Sequence, residues 1–168
     1  MKGKKIDVVM TYYQKYRDSL LIIALSYTHN RMDAEDLVQS AFVKALLSYK
    51  EEGSFLYWAN RVMRNEWYSM VKKRNKEHSL EELPDVFSDE RDPLEAFIKD
   101  DRRRWLAKTI AQLPEKYRDI MIEHVYLRCN DEQIAADHGT NPTNIRKIRS
   151  RAKKILEIEK EKYDGKRK

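Results

Sequence analysis

Apolar residues recur at helical spacing along almost the whole chain, and no strand-like alternation competes with them. Tyr12, Tyr16, Leu20, Ile23 and Tyr27 step by four, four, three and four. Leu37, Val38, Ala41, Phe42, Ala45 and Leu46 form a second, two-row stripe; Phe55, Trp58, Ala59, Val62 and Met63 form a third. These periods put one apolar face on each of several successive helices. Only four Gly and four Pro occur in 168 residues, which excludes collagen and most turn-dense β architectures. The expected fold is all-α, with two small helical domains joined by an acidic flexible linker, the C-terminal one a helix-turn-helix.

Polar residues mark the boundaries. Asp33 precedes the second stripe and is expected to cap its helix, with Asp36 favouring the positive helix end. Gly53 and Ser54 separate the second and third stripes. The stretch Glu77 to Asp92 has few apolar residues, contains Pro84 and reads as a linker. Asp92-Pro93 predicts a helix start, with the helix running through Phe97, Ile98, Trp105, Leu106 and Ile110. Leu113-Pro114 ends that helix and opens another, carrying Tyr117, Ile120, Met121, His124 and Val125. The expected division is 1–76, a linker at 77–92, a second domain at 93–160 and a charged tail at 161–168.

Charge follows this division. Residues 1–76 carry net +6, residues 77–112 net −4 and residues 113–168 net +4. A charged run is most often a solvated face. Two basic segments flanking an acidic one also suit two nucleic-acid-binding modules on a tether. The acidic residues Glu81, Glu82 and Asp85 could then fold back on the basic surfaces of the unbound protein.

The C-terminal signals are dense. Asn130 is placed to cap a short helix, with Gln133 where a capping box wants it. Ile134, Ala135 and His138 follow, then Gly139, which suits the left-handed end of a helix. Asn141-Pro142 begins the next helix, with Ile145, Ile148, Ala152 and Ile155 on one face. Short helix, glycine turn and second helix is the helix-turn-helix layout. The second helix presents Thr143, Asn144, Arg146, Lys147, Arg149, Arg151, Lys153 and Lys154. Between Gly139 and Leu156 there are six basic residues and no acidic one. Arg and Asn can read guanine and adenine edges, and the other cations can meet phosphates.

In the N-terminal half, Phe55, Tyr57, Trp58, Trp67 and Tyr68 are interleaved with Arg61, Arg64, Lys72, Lys73, Arg74 and Lys76. Rings that stack on unpaired bases beside cations that hold the backbone suit single-stranded DNA. Phe55 and Trp58 lie on the apolar stripe and read as core; Trp67 and Tyr68 stay open. Met10, Met63, Met70 and Met121 read as core filler.

Other chemistries find little support. No apolar run approaches the roughly 20 residues of a membrane span. Lys2, Lys4 and Lys5 are not followed by the apolar core of a signal peptide. The single cysteine, Cys129, can form no internal disulfide, so a cytoplasmic protein is expected. No glycine-rich phosphate loop or nucleophile triad appears. His124, Cys129 and His138 fit no zinc spacing. No catalysis, metal or cofactor is expected.

Several segments resemble a known family. Asp33-Ala34-Glu35-Asp36-Leu37-Val38-Gln39 is similar to the DAEDLVQ segment of bacterial sigma factors. Phe55, Trp58, Arg61 and Asn65 fall at the spacing of that family's F-x-x-W-x-x-R-x-x-x-N helix. Leu113 to Arg118 resembles the LPEKYR-type opening of its C-terminal domain, and Asp131 to Leu156 its helix-turn-helix. The order holds across almost the whole chain, and the short length points to the extracytoplasmic-function (ECF) group.

The resemblance implies roles. Asp33, Asp36, Gln39 and Phe42 would dock on the β′ clamp helices of core RNA polymerase. The loop from Tyr49 to Ser54, including Lys50, would capture a flipped base of the minus-ten element. Arg61, Arg64, Asn65, Lys72, Lys73 and Arg74 would lie along the melted strand and the upstream duplex. Thr143, Asn144, Arg146, Lys147, Arg149, Arg151 and Lys153 would meet the minus-thirty-five element, and the C-terminal domain would touch the β flap. An anti-sigma factor is also an implied partner, and membrane insertion is not. Three positions depart from the pattern: Ser40 stands where the family usually has Glu, Ile148-Arg149 inverts the usual Arg-Leu order, and Thr140 replaces an aliphatic residue in the turn. A helix-turn-helix regulator acting without polymerase, and an RNA-binding helical protein, are the alternative readings.

Overall fold

The computed structural model describes residues 2–77, 94, 95 and 97–166. Within these the chain forms seven α-helices and no strand. It divides into two compact units, residues 1–97 and 98–168. The expected linker at 77–92, its residues Glu81, Glu82 and Asp85, and the Asp92-Pro93 helix start lie outside the described residues, except for Glu77, which ends a helix.

In the first unit, α1 (Lys2–Thr28), α2 (Arg31–Ser48) and α3 (Phe55–Glu77) pack against one another. Their buried faces follow the three apolar stripes: Leu20, Ile23 and Tyr27 from α1, Leu37, Val38, Ala41 and Ala45 from α2, Phe55, Ala59 and Met63 from α3; Leu46, counted in the second stripe, is instead exposed. The Tyr27 hydroxyl donates to Asn60 Oδ1 at 2.6 Å, so the polar tip of a wholly buried ring is satisfied. The helices end where local chemistry dictates. His29 takes a left-handed φ of 51°, which turns the chain out of α1. Asn30, not Asp33, caps α2: its side chain accepts the Asp33 backbone N–H at 3.0 Å. Asp33 sits in the first turn of the helix, three residues inside the cap, where its charge still faces the positive helix end. Gly53, at φ 83°, turns the loop into α3, and Ser54 Oγ accepts from Tyr57 N at 3.3 Å.

The second unit contains α4 (Asp101–Gln112), α5 (Glu115–Val125), α6 (Asp131–Asp137) and α7 (Pro142–Lys166). The helix expected through Phe97 and Ile98 starts later. Asp100 caps α4 by accepting Arg102 N at 2.9 Å, and the Arg104 side chain donates to the carbonyls of Ile98 and Lys99 at 2.7 and 3.1 Å. Those carbonyls are thereby satisfied by a side chain instead of by helix bonds. The second helix pair forms as the sequence indicates. Both arms of the Asn130/Gln133 capping box are made, Gly139 has φ 63°, and Asn141 Oδ1 accepts Asn144 N at 2.8 Å just before Pro142. Ile134, Ile145, Ile148 and Ala152 fill the junction between the two helices. The segment from 161 that charge marks off as a tail continues α7, and Tyr163 reaches Trp105 of α4 at 5.7 Å between ring centroids.

Candidate nucleic-acid interface

On α2, Asp36 and Gln39 are exposed and lie on one face with Met32, Val43 and Leu47, apolar side chains that are themselves more than half exposed. Phe42 is not on this face. It is 6% exposed and packs edge-on to Tyr13 at 5.0 Å and against Phe55 at 5.5 Å. A ring so enclosed cannot meet a partner; it belongs to the stripe that built the core. Asp33 is half-buried and ion-paired with Arg74 of α3, its two oxygens 3.3 and 3.4 Å from the guanidinium. The residue expected to dock and the residue expected to hold DNA are therefore tied to each other. Ser40 donates to Glu66 Oε2 at 2.8 Å, and Lys44 lies 3.3 Å from the same oxygen. A carboxylate from α3 thus stands beside α2 at the position where this chain has Ser in place of Glu.

The expected single-strand residues divide by exposure. Arg61, Asn65, Lys72 and Lys73 are exposed along α3, and Arg64 is half-buried. Trp67 is 2% exposed and lies under the Arg74 guanidinium at 5.8 Å, so it is core and a platform for that cation, not a stacking surface for bases. Tyr49 departs from expectation as well. Its ring is 5% exposed, surrounded by Tyr12, Phe55 and Trp58, and its hydroxyl donates to the Gly53 carbonyl at 3.4 Å. Burial pushes its hydroxyl above the usual tyrosine range. Tyr49 therefore braces the loop, whereas Lys50 is exposed. Beside the loop lies a cavity of about 300 Å³ whose walls are Lys4, Lys5, Val8 and Val9 of α1 with Tyr49 and Glu51. The α1 residues were not singled out by the sequence as site residues; their signal was the spacing that puts Lys4 and Lys5 one turn before Val8 and Val9. Met10, read as core, is 51% exposed.

On α7, Thr143, Arg146, Lys147, Arg151 and Lys153 are exposed, facing away from the apolar seam. Asn144 is half-buried, its amide donating to Thr140 Oγ1 at 2.9 Å, which gives the polar turn residue a partner. Arg149 is also half-buried and donates to Asp131 Oδ2 of α6 at 2.8 Å. A groove of about 550 Å³ runs beside it, with Met121 and His124 of α5 facing Arg146, Arg149 and Lys153. Burial and the nearby Arg149 hold the His124 imidazole below its usual range. Behind the turn, His138 Nε2 lies 2.6 Å from the buried carboxylate of Glu123, whose pKa burial raises to about 7 against the pull of that histidine. Among the described residues no cluster of His, Cys, Asp and Glu could hold a metal ion, and no helix is long and apolar enough to cross a membrane.

Comparison with known proteins falls on the same two units. Residues 12–77 match the model for sigma-70 region 2, and residues 103–156 that for sigma-70 region 4. The chain is 26% identical over 139 residues to the ECF RNA polymerase sigma factor SigE of Mycolicibacterium smegmatis, covering 79% of this chain and 54% of that one. It is 24% identical over 169 residues to the RNA polymerase sigma factor SigV of Bacillus subtilis, covering 98% of this chain and 99% of that one. Of the curated relatives it matches, it spans as little as 38% of the length of one. A solved structure of the sigma factor RpoE in complex with the anti-sigma factor NepR, from Bartonella quintana, shares the fold at a TM-score of 0.61 and 23% identity, over 87% of this chain and 94% of that one.

Proposed function

The chain belongs to the sigma-70 family of RNA polymerase sigma factors, in its extracytoplasmic-function group, and on that premise we propose that it binds core RNA polymerase and directs promoter-specific initiation. The first unit docks through the exposed face of α2, with Asp36 and Gln39 as its polar contacts on the β′ clamp helices. Arg61, Asn65, Lys72 and Lys73 then hold the melted minus-ten strand, and Lys50 flanks the loop that captures a flipped base. The second unit lays α7 in the major groove of the minus-thirty-five element and meets the β flap. Bases held by the protein offset part of the few kcal/mol that unstacking costs per base. No chemical step belongs to the chain itself. Its place of action is the cytoplasm, with polymerase, and an anti-sigma protein is its proposed regulator.

The observation that most supports this reading is a division of labour. One unit offers an acidic and apolar helix face beside a basic helix, the other an exposed basic face on the second helix of a helix-turn-helix. A DNA-binding regulator would need the second alone. The test is transcription from fragments of the source genome with purified core polymerase. Initiation at defined start sites is expected with the wild-type chain and is lost with Asp36→Arg, while DNA binding by the second unit persists. Failure to direct initiation on any fragment would overturn the reading.

A further inference from the structure

On the surface expected to read DNA, one acidic residue contacts the recognition helix. Asp131 is the first residue of α6, and its Oδ2 lies 2.8 Å from Arg149 and 4.0 Å from Arg146. The two arginines are one turn apart on α7. Their surroundings differ. The Arg149 side chain is 28% exposed, and its Nε is buried without an acceptor among the described residues. Arg146 is 56% exposed and has a second brace, donating to Thr143 Oγ1 at 3.2 Å. Arg149 is thus an anchor that ties α7 to α6, while Arg146 projects outward with its guanidinium steered from two sides.

We propose that Asp131 is a specificity-determining positioning residue, which orients Arg146 for a base edge and withholds Arg149 from the phosphate backbone; this rests on the proposed reading of α7 as the minus-thirty-five helix. The physical case has two parts. Bidentate recognition of a base edge demands a defined guanidinium plane, and an arginine side chain left unbraced has large rotamer freedom to lose. A carboxylate this close to the DNA surface also repels phosphates, and it neutralises an arginine that would otherwise add a sequence-independent contact. Asp131 therefore lowers general affinity and sharpens discrimination. That outcome is the reverse of the usual loss when an ion pair is made for stability alone.

The test uses the full chain assembled with core polymerase on a promoter recovered by transcription as above, and the same promoter with its minus-thirty-five element scrambled. Asp131→Asn keeps an oxygen that can accept from Arg149 and removes the charge. Expected are tighter binding to the scrambled fragment, a log–log salt slope steeper by about one unit, and discrimination between the fragments reduced by about tenfold. Arg146→Gln should remove the same discrimination, and adding Asp131→Asn to it should then change the ratio little. Equal weakening on both fragments, unchanged slope and ratio, or full additivity of the two changes would each overturn the proposal. A wild-type chain that does not distinguish the fragments at all would overturn the reading of α7 itself.

Discussion

The two units hold a basic surface in place with different materials. In the first, rings interlock at the start of α3: Tyr12 stacks on Phe55 at 4.7 Å, Tyr49 meets Trp58 at 5.0 Å, and Phe42 closes the group against Phe55 at 5.5 Å. In the second, the ties run through ionisable groups. Arg118 meets Asp119 at 3.0 Å, Glu123 meets His138 at 2.6 Å, and Asp131 meets Arg149 at 2.8 Å. Ring packing does not titrate and tolerates some rotation. Charged ties fix orientation closely but depend on protonation, and breaking one strands its partner. The first unit should therefore fail through cavities, the second through changes of charge.

The largest effect should come from the ring cluster. Phe55 is 4% exposed and touches Tyr12, Tyr16, Phe42, Tyr49 and Trp58. Phe55→Ala should destabilise the first unit by about 3–5 kcal/mol, read from urea unfolding followed by tryptophan fluorescence. A loss under about 1 kcal/mol would mean the cluster can close over the hole, and the contrast between the units would weaken.

The same contrast explains what could be read from the chain. Helix punctuation in the second unit is local, so Asn130, Gln133, Gly139 and Asn141-Pro142 announced their roles within a few residues. The start of α2 was harder, because Asn30 and Asp33 are both good capping types three residues apart and only backbone geometry chooses between them. Phe42 carried two signals. Its place on the apolar stripe marked it as core, its place one turn beyond the family segment on the same helix marked it for docking, and burial decided for the stripe. Tyr49 stands four residues after Ala45, in register with the second stripe, so its burial had a periodic cue; its place beside the loop drew the opposite reading. The ties Asp33–Arg74 and Asp131–Arg149 join residues 41 and 18 positions apart, and no local pattern predicts such pairs.

A second break point is protonation in the second unit. The Glu123 carboxyl is raised from 4.5 to about 7, first by burial and then by Asp137, while His138 opposes the shift. A carboxyl with a raised folded-state pKa binds its proton more tightly when folded. Its contribution is fully present below the unfolded value and is lost as pH rises through about 7. Wild-type stability from this group should fall between pH 4.5 and 7, by up to about 3 kcal/mol. Glu123→Gln cannot titrate and should flatten that part of the profile, measured by urea unfolding across the range. Parallel profiles for the two proteins would remove Glu123 from the account.

Helix caps allow a smaller, paired comparison. Asn130→Ala removes a side chain that accepts Gln133 N at 2.8 Å and should lower stability by about 1 kcal/mol. In the first unit, Ser54 accepts Tyr57 N at a longer 3.3 Å. Ser54→Ala should shift the melting temperature less than Asn130→Ala does. The reverse order would place the tighter cap in the unit built from rings.

The smallest effect tests whether the first unit has a charged tie of its own. Arg74 and Asp33 lie 3.3 Å apart, but Arg74 is half-exposed, so solvent screens the pair. A double-mutant cycle of Asp33→Asn and Arg74→Gln should give a coupling of about 0.5 kcal/mol at low salt, vanishing near 1 M. The functional consequence should exceed the energetic one. With its carboxylate partner gone, Arg74 can turn to phosphate, so Asp33→Asn should steepen the salt dependence of DNA binding by the assembled polymerase. A coupling above about 2 kcal/mol would place Asp33–Arg74 with the orienting ties of the second unit and erase the distinction between the two.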